Sequence, residues 1–225
     1  MNRVKRFVTT IMLLTGFGLS AFCLTIRLTS YETGREEYRQ LQEQFELAAG
    51  STTDDAAAPK VNMEKEEKWT RMMTSRNPDY VFWIWIPGTN INYPTVKNTI
   101  PGYYLNHTFS GEENPCGTIF CLEEAENQII YGHNMKDGSM FHVLRNYQDI
   151  DFFQKHTDME VYLPDGRTLN YQITTCEQVS ADSEIYQIER GYVEDNKGNE
   201  IILSTCSAKA NVRIIIKAYL KEKTS

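Results

Sequence analysis

The stretch EIILSTCSAKANVRIIIKAYL, residues 200–220, holds two apolar runs, Glu200 to Thr205 and Val212 to Leu220, around a small polar break. Runs of this length, rich in β-branched residues and bounded by turn formers, read as strands. In an alternating strand Ile202, Ser204 and Cys206 share one face, and in the next Arg213, Ile215, Lys217 and Tyr219 share another. A hairpin over Ser207 to Val212 then brings Arg213 beside Cys206. Burial alone does not call for a strand that ends in a polar cluster with a thiol at its tip. A guanidinium beside a thiol favours the thiolate and can hold an oxyanion formed when that thiolate attacks a carbonyl. On spacing alone, the plainer alternative of a buried strand cysteine and a surface arginine stays open.

Working outward, the texture from Asn77 onward is the same. Short apolar runs lie between turn residues: Tyr80 to Ile86, Ile91 to Val96, Gly117 to Leu122, Asn127 to Tyr131, Glu160 to Leu163 and Thr168 to Thr175. Pro87-Gly88 and Pro164-Asp165-Gly166 mark turns. So many strands with so few helices between them argue for a mostly β fold, an antiparallel barrel or sandwich. Ser139 to Leu144 and Ala181 to Arg190 are the expected helical interruptions. Ahead of the strands, Tyr38, Leu41, Phe45 and Ala48 form one face of a helix over Tyr31 to Ala49. Gly50 to Lys60 reads as a linker, and Val61 to Ser75 as a second helix.

The N-terminus has a different character. Phe7 to Ile26 carries no charge for twenty residues, about the length that crosses bilayer hydrocarbon. No A-x-A-like site follows it, so an uncleaved membrane anchor is expected. Arg3, Lys5 and Arg6 precede the span and Arg27 follows it, which puts the N-terminus in the cytoplasm and the remainder outside the cell. The expected divisions are 1–6 cytoplasmic, 7–26 transmembrane, 27–75 juxtamembrane helices and linker, and 76–225 the catalytic domain. The chain's net charge is −7, and removing its four cations before Leu28 leaves −11 on residues 28–225. A body that acidic excludes a nucleic-acid partner, whose binding rests on clustered Lys and Arg.

Five cysteines are present. Cys116 and Cys121 on one extended strand would lie roughly 16 Å apart, beyond disulfide reach. Buried free thiols are expected for Cys116, Cys121 and Cys176. Their spacing does not suit zinc, and no metal or cofactor is expected. A cysteine nucleophile needs an imidazole to manage its proton. Of His107, His133, His142 and His156, His133 stands where the strand-like Gln128 to Tyr131 gives way to Gly132 and a loop, although spacing by itself does not choose among the four.

These segments together resemble a class B sortase. The matching pieces are Asn77-Pro78-Asp79-Tyr80-Val81, Trp83 to Thr89, Ile91-Asn92-Tyr93-Pro94 and Tyr103-Tyr104-Leu105-Asn106-His107. They continue with Gly117-Thr118-Ile119-Phe120, Ile129 to Met135, Gly138-Ser139-Met140-Phe141 and Leu203-Ser204-Thr205-Cys206 followed by Arg213. The Y-G-H and L-S-T-C pieces are specific in combination and order.

The resemblance implies an eight-stranded sortase β-barrel with N-terminal helices, a helix in the connection between the sixth and seventh strands, and a single-pass anchor. It also implies a cysteine transpeptidase. Cys206 would attack the threonine carbonyl of a C-terminal sorting motif in a secreted protein, in the range from N-P-x-T-N to P-x-T-G types. His133 would move the proton, Arg213 would hold the substrate and the oxyanion, and a peptidoglycan-precursor (lipid II-type) amine on a Gram-positive wall would be the acceptor. For substrate binding the resemblance implies Asn106, Ser204 and Thr205, and more loosely Ile185 and Tyr186. Ser207 departs from relatives with an acid after the cysteine. Alternatives are a cysteine hydrolase trimming surface proteins, a pilin-polymerising sortase, and a silent binding module in which Cys206 only packs.

Overall fold

In the computed structural model, residues 2–49, 63–122, 128–186 and 200–221 are described. The linker expected over Gly50 to Lys60 lies outside them, as does the whole acidic stretch 123–126. Helix α1 runs from Asn2 to Ala49 and α2 from Met63 to Arg76. The apolar segment and the juxtamembrane helix are therefore one uninterrupted helix of 48 residues. At 1.5 Å per residue it is about 72 Å long. Among the described residues, α1 is the one helix long and apolar enough to cross a membrane.

Eight strands follow: β1 (Tyr80–Trp85), β2 (Asn92–Lys97), β3 (Ile119–Cys121), β4 (Gln128–Tyr131), β5 (Asp158–Tyr162), β6 (Thr168–Ser180), β7 (Glu200–Cys206) and β8 (Val212–Leu220). They close into a barrel in the order β1-β2-β3-β4-β7-β8-β6-β5. The expectation of an antiparallel sheet needs correction, because β2–β3 and β4–β7 are parallel pairs. Alternation reports which face a residue takes and is silent on strand direction, so the sequence could not reveal the two crossovers. Strand β6 also outruns its expected end at Thr175, pairing with β8 as far as Ser180 opposite Val212.

Between β4 and β5 lie a 3-10 segment, Phe141–Gln148, and a short helix α3, Ile150–Lys155. The first replaces the helix expected at Ser139 to Leu144. The second was unexpected, although its start carries a local signal: the Asp149 side chain accepts from the N–H groups of Asp151 and Phe152 at 2.9 and 3.0 Å, the geometry of an N-cap. Of the helix expected over Ala181 to Arg190, the described part is a single 3-10 turn, Glu184–Tyr186.

The barrel interior is filled by Ile84, Ile119, Ile130, Leu203, Ile214 and Ile216, all essentially inaccessible to water, while Trp83 faces the helices outside it. Helix α1 closes one side through the face legible in its periodicity. Leu41 is fully buried, Phe45 stacks on Trp83 at 4.5 Å with ring planes 12° apart, and Trp69 of α2 meets both rings edge-on. Tyr38 donates to the Gly117 carbonyl at 2.6 Å and accepts from Phe109 N–H at 3.2 Å. Full burial of side chains such as Leu41 and Phe45 contributes about 1.5–3 kcal/mol each. The helix can come this close because residue 34 is glycine: a Cβ there would lie 2.7 Å from Cys116 Sγ and 2.8 Å from Asn114 Oδ1. Asn114 in turn donates to Ser30 O at 2.5 Å, so docking begins within about one helical turn of Ile26.

Candidate active site

Strands β4 and β7 run side by side in parallel, with Tyr131 opposite Ser204. Two residues beyond each partner come His133 and Cys206, so parallel pairing carries both out of the barrel at the same end. The ladder continues one step past the strand, since Gly132 N–H donates to Ser204 O at 3.1 Å and Thr205 Oγ1 donates to Gly132 O at 2.8 Å. Gly132 fits there because it lacks a side chain: a Cβ would stand 2.6 Å from the Phe141 ring and 2.7 Å from Ile119 Cδ1. On the other side of β7, the antiparallel register places Arg213 of β8 directly opposite Cys206. The hairpin inferred from spacing is therefore present, and Ser207 N–H donates to Val212 O at 3.0 Å to close it.

His133, Cys206 and Arg213 line one open cleft of about 420 Å³. Ser204, Thr205 and Tyr186 line it too, together with an apolar wall that includes Leu105, Phe120 and Leu122. No carboxylate lines it among the described residues, so no anion in the cleft competes with the thiol for the guanidinium. Cys206 is exposed while Cys116 and Cys121 are buried. Burial pushes the Cys116 thiol up to about 12, and Cys176, half-buried, up to about 11. All five cysteines are free thiols. An exposed thiol is the one with access to a substrate.

The imidazole is oriented by the main chain. His133 Nε2 lies 2.7 Å from the Leu105 carbonyl oxygen. A carbonyl only accepts, so Nε2 carries the hydrogen, and in the neutral ring the lone pair falls on Nδ1. The carbonyl of His133 accepts from Phe141 N–H at 2.9 Å, and Asn134 Nδ2 donates to the Cys206 carbonyl at 2.7 Å. The histidine loop and the cysteine strand are thereby tied to one another through residues next to the reactive groups.

Two residues singled out from the sequence take other places. Asn106 is exposed, and its Oδ1 accepts from His107 Nδ1 at 3.0 Å; it is the neighbouring Leu105, through its backbone oxygen, that meets the histidine. Ile185 packs behind the cleft against the small apolar cluster of Ile129, Ile202 and Ile215. Tyr186 hydroxyl lies 2.8 Å from Ser204 Oγ, joining the segment after β6 to the cleft floor. Sequence reasoning passed over Leu105 because a main-chain acceptor has no side-chain signature. It passed over Asn134 as well, although that residue directly follows the histidine.

Comparison with known proteins agrees with this architecture. Residues 84–221 match the Sortase domain family. The chain is 32% identical to sortase B of Listeria monocytogenes over 200 residues, covering 85% of this chain and 77% of the relative. Sortase B of Clostridium perfringens shares 27% identity with a TM-score of 0.58, over 68% of this chain and 99% of that structure. The Staphylococcus aureus sortase B–substrate complex superposes with a TM-score of 0.66 at 22% identity, over 87% of this chain and all of that one, a likeness of fold.

Proposed function

From the premise that this chain belongs to the sortase family, as a class B cysteine transpeptidase, we propose that Cys206 is its nucleophile, His133 its proton carrier and Arg213 its oxyanion and substrate clamp. The observation that carries this assignment is the register of β7, with Arg213 opposite Cys206 on one side and the parallel strand leading to His133 on the other. Cys206 ends β7, Arg213 lies on β8 and His133 follows β4 by two residues, so all three are carried on or next to paired strands, which hold side-chain geometry better than free loops do.

The reaction divides into two acyl transfers. The Cys206 thiolate adds to the threonine carbonyl of the sorting segment, and the oxyanion that forms lies against the Arg213 guanidinium. As the C–N bond breaks, the imidazolium gives its Nδ1 proton to the departing amine, leaving a thioacyl-enzyme and a neutral imidazole. An incoming amine then attacks the thioester, His133 takes its proton, and the C–S bond breaks to restore the thiolate and imidazolium. Throughout, Nε2–H remains bonded to Leu105 O, so the same nitrogen, Nδ1, serves both directions of proton transfer. The substrates are secreted proteins with a C-terminal sorting motif, a class supported by the staphylococcal relative's substrate complex. The acceptor is a peptidoglycan-precursor amine.

The cellular arrangement proposed here is supported by the length and apolar character of α1. Residues 7–26 anchor the chain, residues 1–6 stay in the cytoplasm, the helical segment within 27–75 carries the barrel, and residues 76–225 act outside the cell. Positive charge ahead of the span supports that orientation.

The test uses the full chain in detergent micelles with N-P-x-T-N, L-P-x-T-G and S-P-x-T-G peptides, with and without an amine acceptor, read by mass spectrometry. The expected result is an adduct on Cys206 ending at threonine that passes to the amine and is absent from Cys206→Ala. Cleavage with no transfer under any acceptor would identify a hydrolase instead.

A further inference from the structure

Asn98 follows directly on β2, and its main-chain N–H donates to Cys121 O at 2.7 Å, so its backbone is fixed to the parallel neighbour β3. Its side chain is a different matter. The residue is 5% exposed and lines the same cleft as Cys206, yet neither Oδ1 nor Nδ2 has a hydrogen-bond partner among the described residues. A buried carboxamide with both ends unpaired is a standing penalty on the fold and calls for an explanation.

The surroundings supply one. The cleft wall near Asn98 is apolar, formed by Leu105, Phe120, Leu122 and Tyr131. Apart from Cys206 and Arg213, which are given to the reacting carbonyl, three further polar side chains of the cleft are already engaged: Ser204 with Tyr186, Thr205 with Gly132 O, and His133 Nε2 with Leu105 O. Turning any of those toward a ligand breaks an existing bond. Rotating the Asn98 amide toward the lumen breaks none. An extended peptide entering this cleft removes its own N–H and C=O groups from water, and each needs a partner. A carboxamide presents an acceptor and a donor side by side, the complement of one such peptide group.

We propose that Asn98 is a substrate-positioning residue whose carboxamide turns into the cleft and pairs with a main-chain peptide group of the bound sorting segment, Oδ1 accepting its N–H and Nδ2 donating to its C=O. The contact is to backbone, so it serves every motif alike and leaves selection among motifs to the side-chain pockets. It fixes the depth at which the threonine carbonyl meets the thiol. This inference rests on the assignment of Cys206 as nucleophile.

The test compares wild type, Asn98→Leu, Asn98→Gln and Cys206→Ala as full chains in detergent micelles, measuring kcat and KM on the three peptides and Tm without peptide. Asn98→Leu keeps the branched shape and removes the amide, so KM should rise about 10- to 100-fold on every peptide with kcat within about twofold. Its Tm should match or exceed that of wild type, because the unpaired buried amide has gone. Asn98→Gln, which keeps an amide on a longer stem, should recover most of the KM. An unchanged KM in Asn98→Leu overturns the inference, as does a loss confined to one motif, which would mean a side-chain contact. A Tm lowered together with activity overturns it in favour of a packing role. A wild type that forms no Cys206 adduct overturns the nucleophile assignment itself, whereas a reactive wild type with an indifferent Asn98→Leu sinks this inference alone.

Discussion

Two thiols of one molecule, Cys206 and Cys116, sit in opposite surroundings. Cys116 lies under α1, 4% exposed, in a seam so tight that the facing helix position must be glycine. Burial, with the charge of Glu37 adding to it, pushes that thiol up to about 12. Cys206 stands at the tip of β7, exposed, with a guanidinium opposite and an imidazole on the adjoining strand path. Residue type is the same at both positions, and the difference lies wholly in what the fold puts around them. A seam that excludes water makes a thiol a packing group; a strand end flanked by a cation gives it the surroundings of the proposed nucleophile.

Exchanging the two roles by mutation is the sharpest challenge to that contrast. Cys206→Ala should lower acyl transfer by about 1,000-fold or more with the Tm unchanged, since an exposed side chain leaves no cavity. Cys116→Ala should do the reverse, keeping the rate and losing about 1–2 kcal/mol in denaturant unfolding. Retained single-turnover acylation in Cys206→Ala would end the comparison. Next in size, Arg213→Ala should cost about 100- to 1,000-fold in kcat, with Arg213→Lys recovering little because an ammonium lacks the planar donor fork. A variant that bound peptide poorly but reacted at full rate would recast Arg213 as a binding group only.

On the seam side, Gly34→Ala should drive a methyl into Cys116 and Asn114 and destabilise the chain by about 1–3 kcal/mol, with kcat nearly unaffected. If it melted like wild type, the helix would be standing further from the barrel than the contacts indicate. The last effect is confined to alkaline pH. The folded thiol of Cys116 titrates near 12 against an ordinary 9, so its contribution to stability is complete below about pH 9 and disappears as pH climbs toward 12. Alkaline unfolding of wild type should therefore steepen over that window relative to Cys116→Ala. Coincident curves would show that this thiol is not buried in solution.

Legibility from sequence followed how local each signal is. The strands announced themselves through alternation, and the β7–β8 hairpin through the polar break at Ser207, because neighbours in sequence are there neighbours in space. Tyr38, Leu41 and Phe45 revealed the buried face of α1 for the same reason. Strand direction was not legible: β2–β3 and β4–β7 are parallel, and alternation carries no sign of that. Of the site, Cys206, Arg213 and His133 were readable as a constellation only once the motif order was considered, whereas the Leu105 carbonyl was invisible, since every residue has one. Asn98 and Asn106 make the point most clearly, two asparagines eight residues apart, of which the buried and unpaired one is in the cleft wall.

Helix α1 has a mechanical consequence. With its apolar part in the bilayer, the same rod that begins in the lipid ends against Trp83, and the helix is uninterrupted between them. The barrel is then carried like an instrument on a rigid mast, its cleft held at a fixed altitude and compass bearing above the bilayer surface. Each residue added between Ile26 and Ser30 would lift the cleft by about 1.5 Å and swing it about 100°. Reach in this enzyme is thus a matter of helical phase, and a whole-turn insertion should be tolerated where a half-turn insertion is not.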